Sequence, residues 1–477
     1  MKIILYIVSS YNKKYIMTFE NGLFIFRRDF RIIDNNGLYL TNTNCKNVYT
    51  VFIFTPEQVG SANSFKSNNA VQFMIESLQD LQAEIKSNSG ELLVFYGDND
   101  TIIKKLINAL SIDFVCFNAD YTPYALERDE KIARLCEKND VTLERVADYY
   151  LHEPGTIFNG TGGPYQKFTP YYNAALKKKV QPASNARSIK FAQTTKSLPN
   201  KIGLDAALKK FTKVNPDILV HGGRKEALKM LQTAVKTQQH YSRTHNDLFK
   251  QTTQLSASIK FGCISIREMY ETFRKNHDLI RQLIWRDFYI NILFSFPHVL
   301  GSAMKPNYNK IKWHHNAKWL KAWDQGTTGY PVVDACMRQL NTTGYMHNRG
   351  RLIVASFLTK TLLISWEEGE KIFAKKLTDY DPASNNGNWQ WIAGSGADSQ
   401  PYFRIFNPWE QGSNFDPNAE YIKHWIPELK DVPAKAIHSW YKEHNTTEYK
   451  NIKYPGPIVD YSKQKEETLA MYKAAFK

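Results

Sequence analysis

Two hydrophobic patterns divide the chain, and the first of them restricts the fold most. Four short apolar runs alternate with helical patterns, the runs at 23–26, 48–54, 91–96 and 114–117 and the helices near 68–87, 101–110 and 125–138. Such alternation predicts a parallel sheet with helices on both of its faces. From Gly222 onward the pattern is helical throughout. We therefore predict a doubly wound, Rossmann-like parallel α/β domain followed by an all-α domain.

The 477 residues exceed one hydrophobic core and indicate more than one domain. Residues 151–221 contain many Gly, Pro, Lys, Asn and Thr and show weak periodicity, so we predict a long connector there. The predicted division is an N-terminal extension (1–16), an α/β domain (17–150), the connector (151–221) and a helical domain (222–477). The last 50 residues, with three prolines and the charged run 462–467, should form a peripheral tail.

Cysteine spacing and hydropathy indicate the compartment. The five cysteines are scattered, without CxxC spacing, which favours reduced thiols in an intracellular protein over a disulfide framework, a zinc site or an iron–sulfur cluster. The apolar run at 3–8 is too short for a signal peptide, and no run approaches a membrane span. We expect an intracellular protein with no membrane contact, in the cytoplasm or the nucleus.

The net charge of +16 indicates a polyanionic partner. From Gly222 onward there are 35 Lys and Arg against 24 Asp and Glu, whereas the first 221 residues hold 27 against 22. All ten tryptophans follow residue 284. The C-terminal half is therefore the better candidate for a surface that faces phosphates.

The stretch 378–415 concentrates acids, amides, indoles and an arginine among turn-forming residues, a composition unlike a core helix or a solvated loop. Gly387, Gly394 and Gly396 would let the backbone approach a flat group closely. The alternative is a buried irregular corner whose polar groups satisfy one another. Because no GxGxxG follows the first strand, ordinary NAD-type binding is disfavoured.

This stretch resembles the C-terminal signature of the photolyase/cryptochrome family, in particular the class I cyclobutane pyrimidine dimer photolyases. The segments TGYPVVDACMRQL (328–340) and NRGRLIVASFLTKTLLISW (348–366) resemble two other long family motifs. FRRDFRIIDNNGL (26–38) is similar to the N-terminal signature, although Arg27, Arg28 and Asp29 alone would be interpreted as a surface salt-bridge cluster. Weaker likeness covers residues 23 to about 426.

The resemblance implies non-covalent FAD in the helical domain. TTQLSASIKFG (252–262) is similar to the phosphate-holding segment of the family, with Ala257 and Ser258 departing from it. The implied FAD contacts are Tyr241, Thr252, Thr253, Gln254, Leu255, Ser256, Trp285, Arg286, Asn348, Arg351, Asp379, Asp381 and Asn385. A buried Arg351 needs a carboxylate, and Asp379 would supply it.

Asn385 resembles the family residue that faces the flavin N5 atom. An amide there supplies no titratable proton, which should help to keep the flavin reduced and anionic. Plant cryptochromes have Asp at this position, so the asparagine favours repair over signalling. Seen in isolation, a buried Asn that caps a helix is an equally good interpretation.

The resemblance also implies an electron-transfer chain and a lesion pocket. Trp389, Trp366 and Trp313 match the tryptophans that connect the flavin to the surface, although core packing alone explains any one of them. Trp285, Leu352 and Trp391 would form apolar walls for a flipped dinucleotide, with Gln282 and Asn348 as hydrogen-bonding partners and Arg404 as a DNA contact.

Two departures leave the lesion open. Gln282 stands where cyclobutane dimer photolyases usually carry Glu and where many (6-4) photolyases carry Gln, and Leu352 stands where many carry Met. Because (6-4) repair needs a proton donor at the lesion, and His347 is the one histidine of the motif, we expect cyclobutane dimer repair. A (6-4) photolyase, a DASH-type cryptochrome and a signalling cryptochrome remain alternatives.

The expected activity is that of a light-driven carbon–carbon lyase, a deoxyribodipyrimidine photo-lyase type of enzyme acting on damaged DNA. Reduced FAD, excited by blue or near-UV light, would donate an electron to the dimer, with no nucleophile and no metal ligand among the side chains. In relatives the α/β domain often holds a second, light-harvesting chromophore. A folate or a deazaflavin is possible here, and the sequence does not distinguish them. We expect a monomer.

Overall fold

The computed structural model describes residues 19–476. The predicted extension, residues 1–16, lies outside the described residues. Within the described part, none of the helices is both long enough and apolar enough to cross a membrane.

A five-stranded parallel sheet forms the centre of the N-terminal part. Its strands are β1 (Phe19–Phe26), β2 (Cys45–Phe54), β3 (Leu92–Tyr96), β4 (Phe114–Asn118) and β5 (Thr142–Val146), in the order β3-β2-β1-β4-β5. The first four correspond to the four predicted strands. The sequence pattern does not reveal β5, because its residues TLERV include only two apolar side chains and form no apolar run like those of the other strands.

Five helices accompany the sheet: α1 (Asn36–Asn44), α2 (Pro56–Val59), α3 (Asn68–Ser87), α4 (Asn99–Leu110) and α5 (Pro123–Lys138). The last three are the predicted ones, and each begins after a Ser, Asp or Thr whose side chain accepts a backbone hydrogen bond. Alternate residues of β1 enter two separate apolar clusters, one with Phe24 and Phe26 and the other with Leu23 and Ile25. The doubly wound α/β fold is confirmed.

The connector is more ordered than its composition indicates. It contains α6 (Phe168–Leu176) and α7 (Leu204–Phe211), and it extends the sheet by exchanging backbone hydrogen bonds with Val48. Apolar residues of the connector lie in the same buried cluster as residues of the sheet and of the later helix His277–Ser295. The connector therefore packs the two larger parts together.

The remainder is helical, as predicted. Its helices are α8 (Arg224–Thr237), α9 (Tyr241–Thr244), α10 (Ser256–Lys260), α11 (Ile266–Phe273), α12 (His277–Ser295), α13 (Ala317–Gln325), α14 (Pro331–Thr343), α15 (Asn348–Lys360), α16 (Trp366–Lys376), α17 (Pro382–Ala393), α18 (Pro408–Phe415), α19 (Glu420–Trp425), α20 (Ala434–His438), α21 (Trp440–Glu443) and α22 (Tyr461–Ala475). Short 3₁₀ turns occur at Pro297–Val299, Pro306–Lys310 and Pro427–Leu429.

The apolar segment 351–366 forms parts of two helices: α15 ends at Lys360, Leu363 has a φ of 54°, and Ser365 caps α16. Two local expectations are wrong. The stretch 378–415 does contain a core helix, α17, because Asp381 caps it and Pro382 occupies its first turn. The end of the chain is not a peripheral tail, since Tyr472 of α22 is fully buried and donates to the main-chain oxygen of Ala393.

Four buried charges join the α/β part to the helical part, and we name them the interdomain charge cluster: Arg31, Asp34, Asp148 and Arg267. The Arg267 guanidinium lies 2.9 Å from an Asp34 oxygen and 2.7 Å from an Asp148 oxygen. Arg31 donates to the other oxygen of Asp148. Burial acts against the charged form of Asp148, but the two arginines hold the pKa of its carboxyl below the usual value.

Candidate active site and cofactor pocket

A deep pocket of about 490 Å³ opens in the helical part. Helices α9 to α12 form one side of it and α15 to α17 the other. The sequence-predicted residues that line it are Tyr241, Thr253, Ser256, Gln282, Trp285, Arg286, Asn348, Arg351, Leu352, Asp379, Asp381, Asn385, Trp389 and Trp391. The pocket size is within the range typical of cofactor sites.

Six predicted residues do not line the pocket. Thr252 hydrogen-bonds the Tyr345 hydroxyl at 3.1 Å, and Gln254 is held by Gln251 with a left-handed φ of 54°. Leu255 is fully buried in the apolar core. The other three, Trp313, Trp366 and Arg404, lie outside the pocket walls. From the segment 252–256, the pocket wall contains only Thr253 and Ser256.

Arg351 and Asp379 form the predicted ion pair at 2.9 Å. Arg351 also donates through Nε to the main-chain oxygen of Met346, at 2.9 Å. The other carboxylate oxygen of Asp379, Oδ1, is buried without a hydrogen-bonding partner. A buried acceptor of this kind requires a donor, and a ligand with N–H or O–H groups in the pocket would supply it.

Asp381 connects the pocket to the first strand. It accepts from the backbone N–H of Ser384 at the start of α17, and its carboxylate lies 3.3 Å from the Arg28 guanidinium. Arg28 follows β1 and also lies 3.5 Å from Asp120. The run 27–29 is therefore not a surface salt-bridge cluster, because Arg28 crosses between the two parts and fixes a pocket carboxylate.

Asn385 projects from α17, and its amide nitrogen donates to the main-chain oxygen of Glu370 at 3.0 Å. The Glu370 side chain in turn accepts from Asn386, also at 3.0 Å. Burial raises the pKa of Glu370 to about 7. With its nitrogen committed to α16, Asn385 can offer its carbonyl oxygen to a bound group.

Aromatic rings form the wall near the mouth of the pocket. Trp285 stacks on Phe168 with a centroid distance of 3.6 Å and an interplanar angle of 5°. Phe168 belongs to the connector and was not among the predicted site residues. The buried Nε1 atom of Trp391 has no hydrogen-bonding partner. Gly387 has a different role from the expected one, because the flat group packed against it is the ring of Tyr289.

The three tryptophans of the predicted chain lie in or against one apolar cluster. Trp389 and Trp366 are 2% and 3% exposed, and Trp313 is partly exposed at the edge of the same apolar cluster. The Trp389 indole packs against Gly369, which lies three residues after Trp366 on α16 and so on nearly the same face. The fully buried Trp323 also contacts Trp389, at 6.1 Å between ring centroids.

The polar residues of the pocket wall that sequence reasoning missed include His245, Asn246, Lys260 and Arg349. The Lys260 ammonium lies 3.8 Å from the centre of the Phe261 ring, and no described residue accepts a hydrogen bond from it. Burial and the neighbouring Arg28 lower its pKa to about 8. The spacing does hold a signal, since Lys260 follows Ser256 by one helical turn and lies on the same face of α10.

His347 does not line the pocket. Its Nδ1 accepts from the backbone N–H of Arg349 and caps α15, which commits one ring nitrogen. Burial, together with the charges of Arg351 and Arg349, lowers its pKa to about 4. A neutral capping histidine is a poor source of protons for a substrate in the pocket.

Two family models match the chain. Residues 23–188 match the one described as DNA photolyase, and residues 279–474 match the FAD binding domain of DNA photolyase. A deoxyribodipyrimidine photo-lyase of Halobacterium salinarum is 34% identical, with 95% of this chain and 99% of that protein covered. The chain belongs to the DNA photolyase family. The cofactor of the pocket is FAD, and the orphaned Asp379 oxygen, the unpaired Lys260 and the free indole N–H of Trp391 fit a polar, anionic ligand of this kind.

Solved structures agree with this assignment. An archaeal photolyase from Sulfolobus tokodaii, described with two FAD molecules and a novel light-harvesting cofactor, has a TM-score of 0.86 and 40% identity, with 95% of this chain and all of that one covered. A cryptochrome from Synechocystis has a TM-score of 0.85 and 26% identity, with 96% of this chain and all of that one covered. The fold is therefore shared by photolyases and cryptochromes, and only the site can distinguish them.

Proposed function

We propose that this member of the DNA photolyase family is a light-dependent deoxyribodipyrimidine photo-lyase that repairs cyclobutane pyrimidine dimers in DNA. The observation that carries the proposal is that one pocket combines two kinds of wall. Buried polar atoms without hydrogen-bonding partners lie in its interior, and aromatic and aliphatic side chains lie near the exposed Gln282. Bound FAD, when reduced and excited by blue or near-UV light, supplies the electron that splits the dimer.

The side chains in the depth of the pocket bind and orient the cofactor. Arg351 stays charged beside Asp379, because the carboxylate raises the pKa of the guanidinium against the effect of burial. Asp379 then offers its free oxygen to a donor of the ligand. Asn385 presents an amide oxygen and cannot release a proton, so it favours the reduced anionic state that we expect for repair.

The outer walls hold the lesion and exclude water from it. The flipped dimer would pack against Trp285, Leu352 and Trp391, which buries its apolar ring faces. Gln282 and Asn348, both exposed, can donate hydrogen bonds to the carbonyl oxygens of the pyrimidines. Flipping costs less for a dimer than for an ordinary base pair, because a dimer stacks poorly.

We further propose that Trp389, Trp366 and Trp313 carry electrons between the surface and the pocket. Replacement of Trp366 by Phe keeps most of the packing and removes the easily oxidised indole. Flavin photoreduction should then slow at least about ten-fold, while chemically pre-reduced enzyme still repairs DNA, and Trp323→Phe serves as a control of equal chemistry. A Trp366→Phe enzyme that photoreduces at the wild-type rate excludes this route.

A second candidate is a (6-4) photolyase, which Gln282 favours. Against it, Leu352 has no proton to give, and His347 caps a helix and lies outside the pocket walls. His245 does line the wall, but its Nδ1–H is donated to the main-chain oxygen of Tyr241 at 2.9 Å. Repair of a (6-4) product requires a proton donor beside the lesion. A signalling cryptochrome is the third possibility, and Asn385 argues against it.

The deciding experiment is a repair assay on duplex DNA that carries one defined lesion, either a cyclobutane dimer or a (6-4) product, with light and dark arms. We expect the cyclobutane dimer to disappear in the light arm only and the (6-4) product to persist. Light-dependent loss of the (6-4) product alone would assign the second candidate. No repair of either lesion by protein with a full complement of reduced FAD would leave signalling as the function.

A further inference from the structure

A buried lysine lies under the loop that carries Arg404. Lys360 is the last residue of α15, and it is 1% exposed. Its main-chain oxygen accepts from the Thr468 hydroxyl of α22 at 2.8 Å, so both ends of the residue are enclosed. Lysines are almost never buried to this extent unless they are paired.

Lys360 has no pairing carboxylate among residues 19–476. Burial alone lowers its pKa, to about 8. Its Nζ donates one hydrogen bond, to the main-chain oxygen of Arg404, at 2.9 Å. The carboxyl end of α15 favours a positive charge there, but a helix end does not repay the full cost of burying an ammonium group. The hydrogen bond to Arg404 is therefore the one direct polar contact among the described residues that offsets the burial of this ammonium group.

The bond holds the outer part of a loop, where Pro401, Phe403 and Arg404 are exposed, whereas residues 394–397 and 399 are buried. Residues 394–407 connect α17, which carries Trp389 and Trp391, to α18. Within this loop Phe403 is 61% exposed, and the exposed Arg404 side chain has one intramolecular partner, the Gln400 amide oxygen at 3.2 Å. The Arg404 side chain is therefore available to a phosphate, whereas its main-chain oxygen accepts the hydrogen bond from the buried Lys360.

We propose that Lys360 is a positioning residue for DNA binding: it anchors the main chain at Arg404 and so orients that guanidinium toward the DNA backbone beside the lesion pocket. The inference rests on the proposed function, in which the partner is duplex DNA with a pyrimidine dimer. Lys360 itself touches neither DNA nor FAD. It acts by reducing the entropy that the loop must lose when Arg404 binds a phosphate.

The competing explanation is that the aliphatic part of Lys360 fills space between α15 and α22. Lys360→Met distinguishes the two, because Met has a similar unbranched shape and no donor. If Lys360 only fills space, Met should leave DNA affinity unchanged. If Lys360 positions Arg404, Met should weaken DNA binding while the FAD content and the thermal unfolding temperature are kept or raised.

The experiment measures equilibrium binding of the FAD-containing protein to a duplex with one cyclobutane dimer, in the dark, at several salt concentrations. Lys360→Met should weaken binding about five-fold, which is the order expected for one lost positioning hydrogen bond. Arg404→Ala should weaken it more and reduce the slope of log K against log salt by about 0.9, as for one phosphate contact. Lys371→Met, which removes an exposed lysine of α16, controls for the loss of one charge.

The double variant tests whether Lys360 acts through Arg404. In an Arg404→Ala background, Lys360→Met should change the affinity for DNA less than about two-fold. Lys360→Arg, which keeps a donor, should bind DNA with wild-type affinity when it is the only substitution. Trypsin should also cleave after Arg404 faster in Lys360→Met than in wild type. Should Lys360→Met not fold, Lys360→Gln, whose amide is too short to reach the Arg404 oxygen, takes its place.

Four results would overturn the inference. Wild-type affinity in Lys360→Met excludes a positioning role, and an equal loss in the presence and absence of Arg404 assigns the effect to general disturbance. An equal loss in Lys371→Met assigns it to net charge. If Arg404→Ala alone binds dimer DNA as well as wild type while light-dependent repair persists, Arg404 is not a contact, and the proposed function stands without this inference.

Discussion

Two groups of buried charges in this molecule differ in how completely they are satisfied. In the interdomain charge cluster, both carboxylates accept bonds from arginines, and those arginines also donate to main-chain oxygens. In the pocket, by contrast, one oxygen of Asp379 and the ammonium of Lys260 have no partner among the described residues. The Arg351 and Asp379 side chains are 26% and 8% exposed, against 0–6% in the cluster, but the unpaired Asp379 oxygen is itself buried, so contact with water does not account for its missing partner.

The difference separates structure from function. A complete network holds two parts of a protein in one relative position and requires nothing from outside. An incomplete network stores an energetic cost that a ligand removes when it binds. The same argument distinguishes two aspartates that pair with arginines: Asp148 is enclosed by two guanidiniums, whereas Asp379 has one and retains a buried oxygen without a partner.

Breaking the complete cluster should have the largest effect. Arg267→Ala leaves two buried carboxylates with fewer partners, and removal of one member of a buried ion network costs about 3–5 kcal/mol. Chemical unfolding monitored by circular dichroism should show this loss. Arg338→Ala provides the control, because its ion pair with Glu428 is partly exposed and pairs of that kind contribute about 0–1 kcal/mol. Equal unfolding midpoints for Arg267→Ala and wild type would contradict the role assigned to the cluster.

Breaking the incomplete network should instead reduce cofactor binding. Arg351→Ala leaves Asp379 buried without its cation, and we expect the purified protein to hold at most about one tenth of the wild-type FAD per chain. The absorbance ratio of flavin to protein measures this. Arg351→Lys keeps the charge and should retain an intermediate amount. A full complement of FAD in Arg351→Ala, with unchanged unfolding, would show that Asp379 does not depend on Arg351.

The two networks were not equally visible in the sequence. Arg351 and Asp379 stand in long motifs, so the pair could be predicted and is confirmed at 2.9 Å. The interdomain charge cluster draws its members from three separate segments, and no local pattern indicates that Arg267 would meet Asp34, 233 residues away. Phe168 was missed for the same reason, because its contact with Trp285 depends on the path of the connector. The Leu255 side chain lies in the apolar core and not in the pocket wall, because a motif gives the order of residues and not the direction of each side chain.

Lys260 offers a smaller test of the unpaired charges. The charged groups around its ammonium are Arg28, Asp381, Asp120 and Asp379. An anionic ligand would raise the Lys260 pKa from about 8, so its contribution to FAD binding is complete below pH 8 and declines as the pH rises above that value.

We therefore expect Lys260→Met to release FAD more readily at neutral pH, by about five- to ten-fold in affinity, an effect typical of one charge-assisted bond. The temperature at which FAD fluorescence appears on heating reports the release. As the pH rises from about 8 to about 10, this temperature should fall more in wild type than in Lys260→Met, because Lys260→Met has no titratable group at that position. Parallel pH profiles for the two proteins would show that Lys260 does not face the anionic part of the cofactor.

The mouth of the pocket completes the comparison, and there a change of charge should matter least. Gln282 is exposed, so a carboxylate at this position stays solvated and pays little for its charge. Gln282→Glu should therefore leave FAD content and unfolding unchanged. Gln282 can already hydrogen-bond a pyrimidine edge through its amide, so we expect repair of cyclobutane dimers at saturating DNA to be unchanged or raised by no more than about two-fold. Single-turnover repair after a light pulse measures this, with Gln282→Leu as the variant that loses both polar groups and should bind dimer DNA more weakly. If Gln282→Glu abolished repair of cyclobutane dimers, the amide at the mouth would be essential. Substitutions at the mouth would then have effects as large as those in the pocket interior, contrary to our expectation.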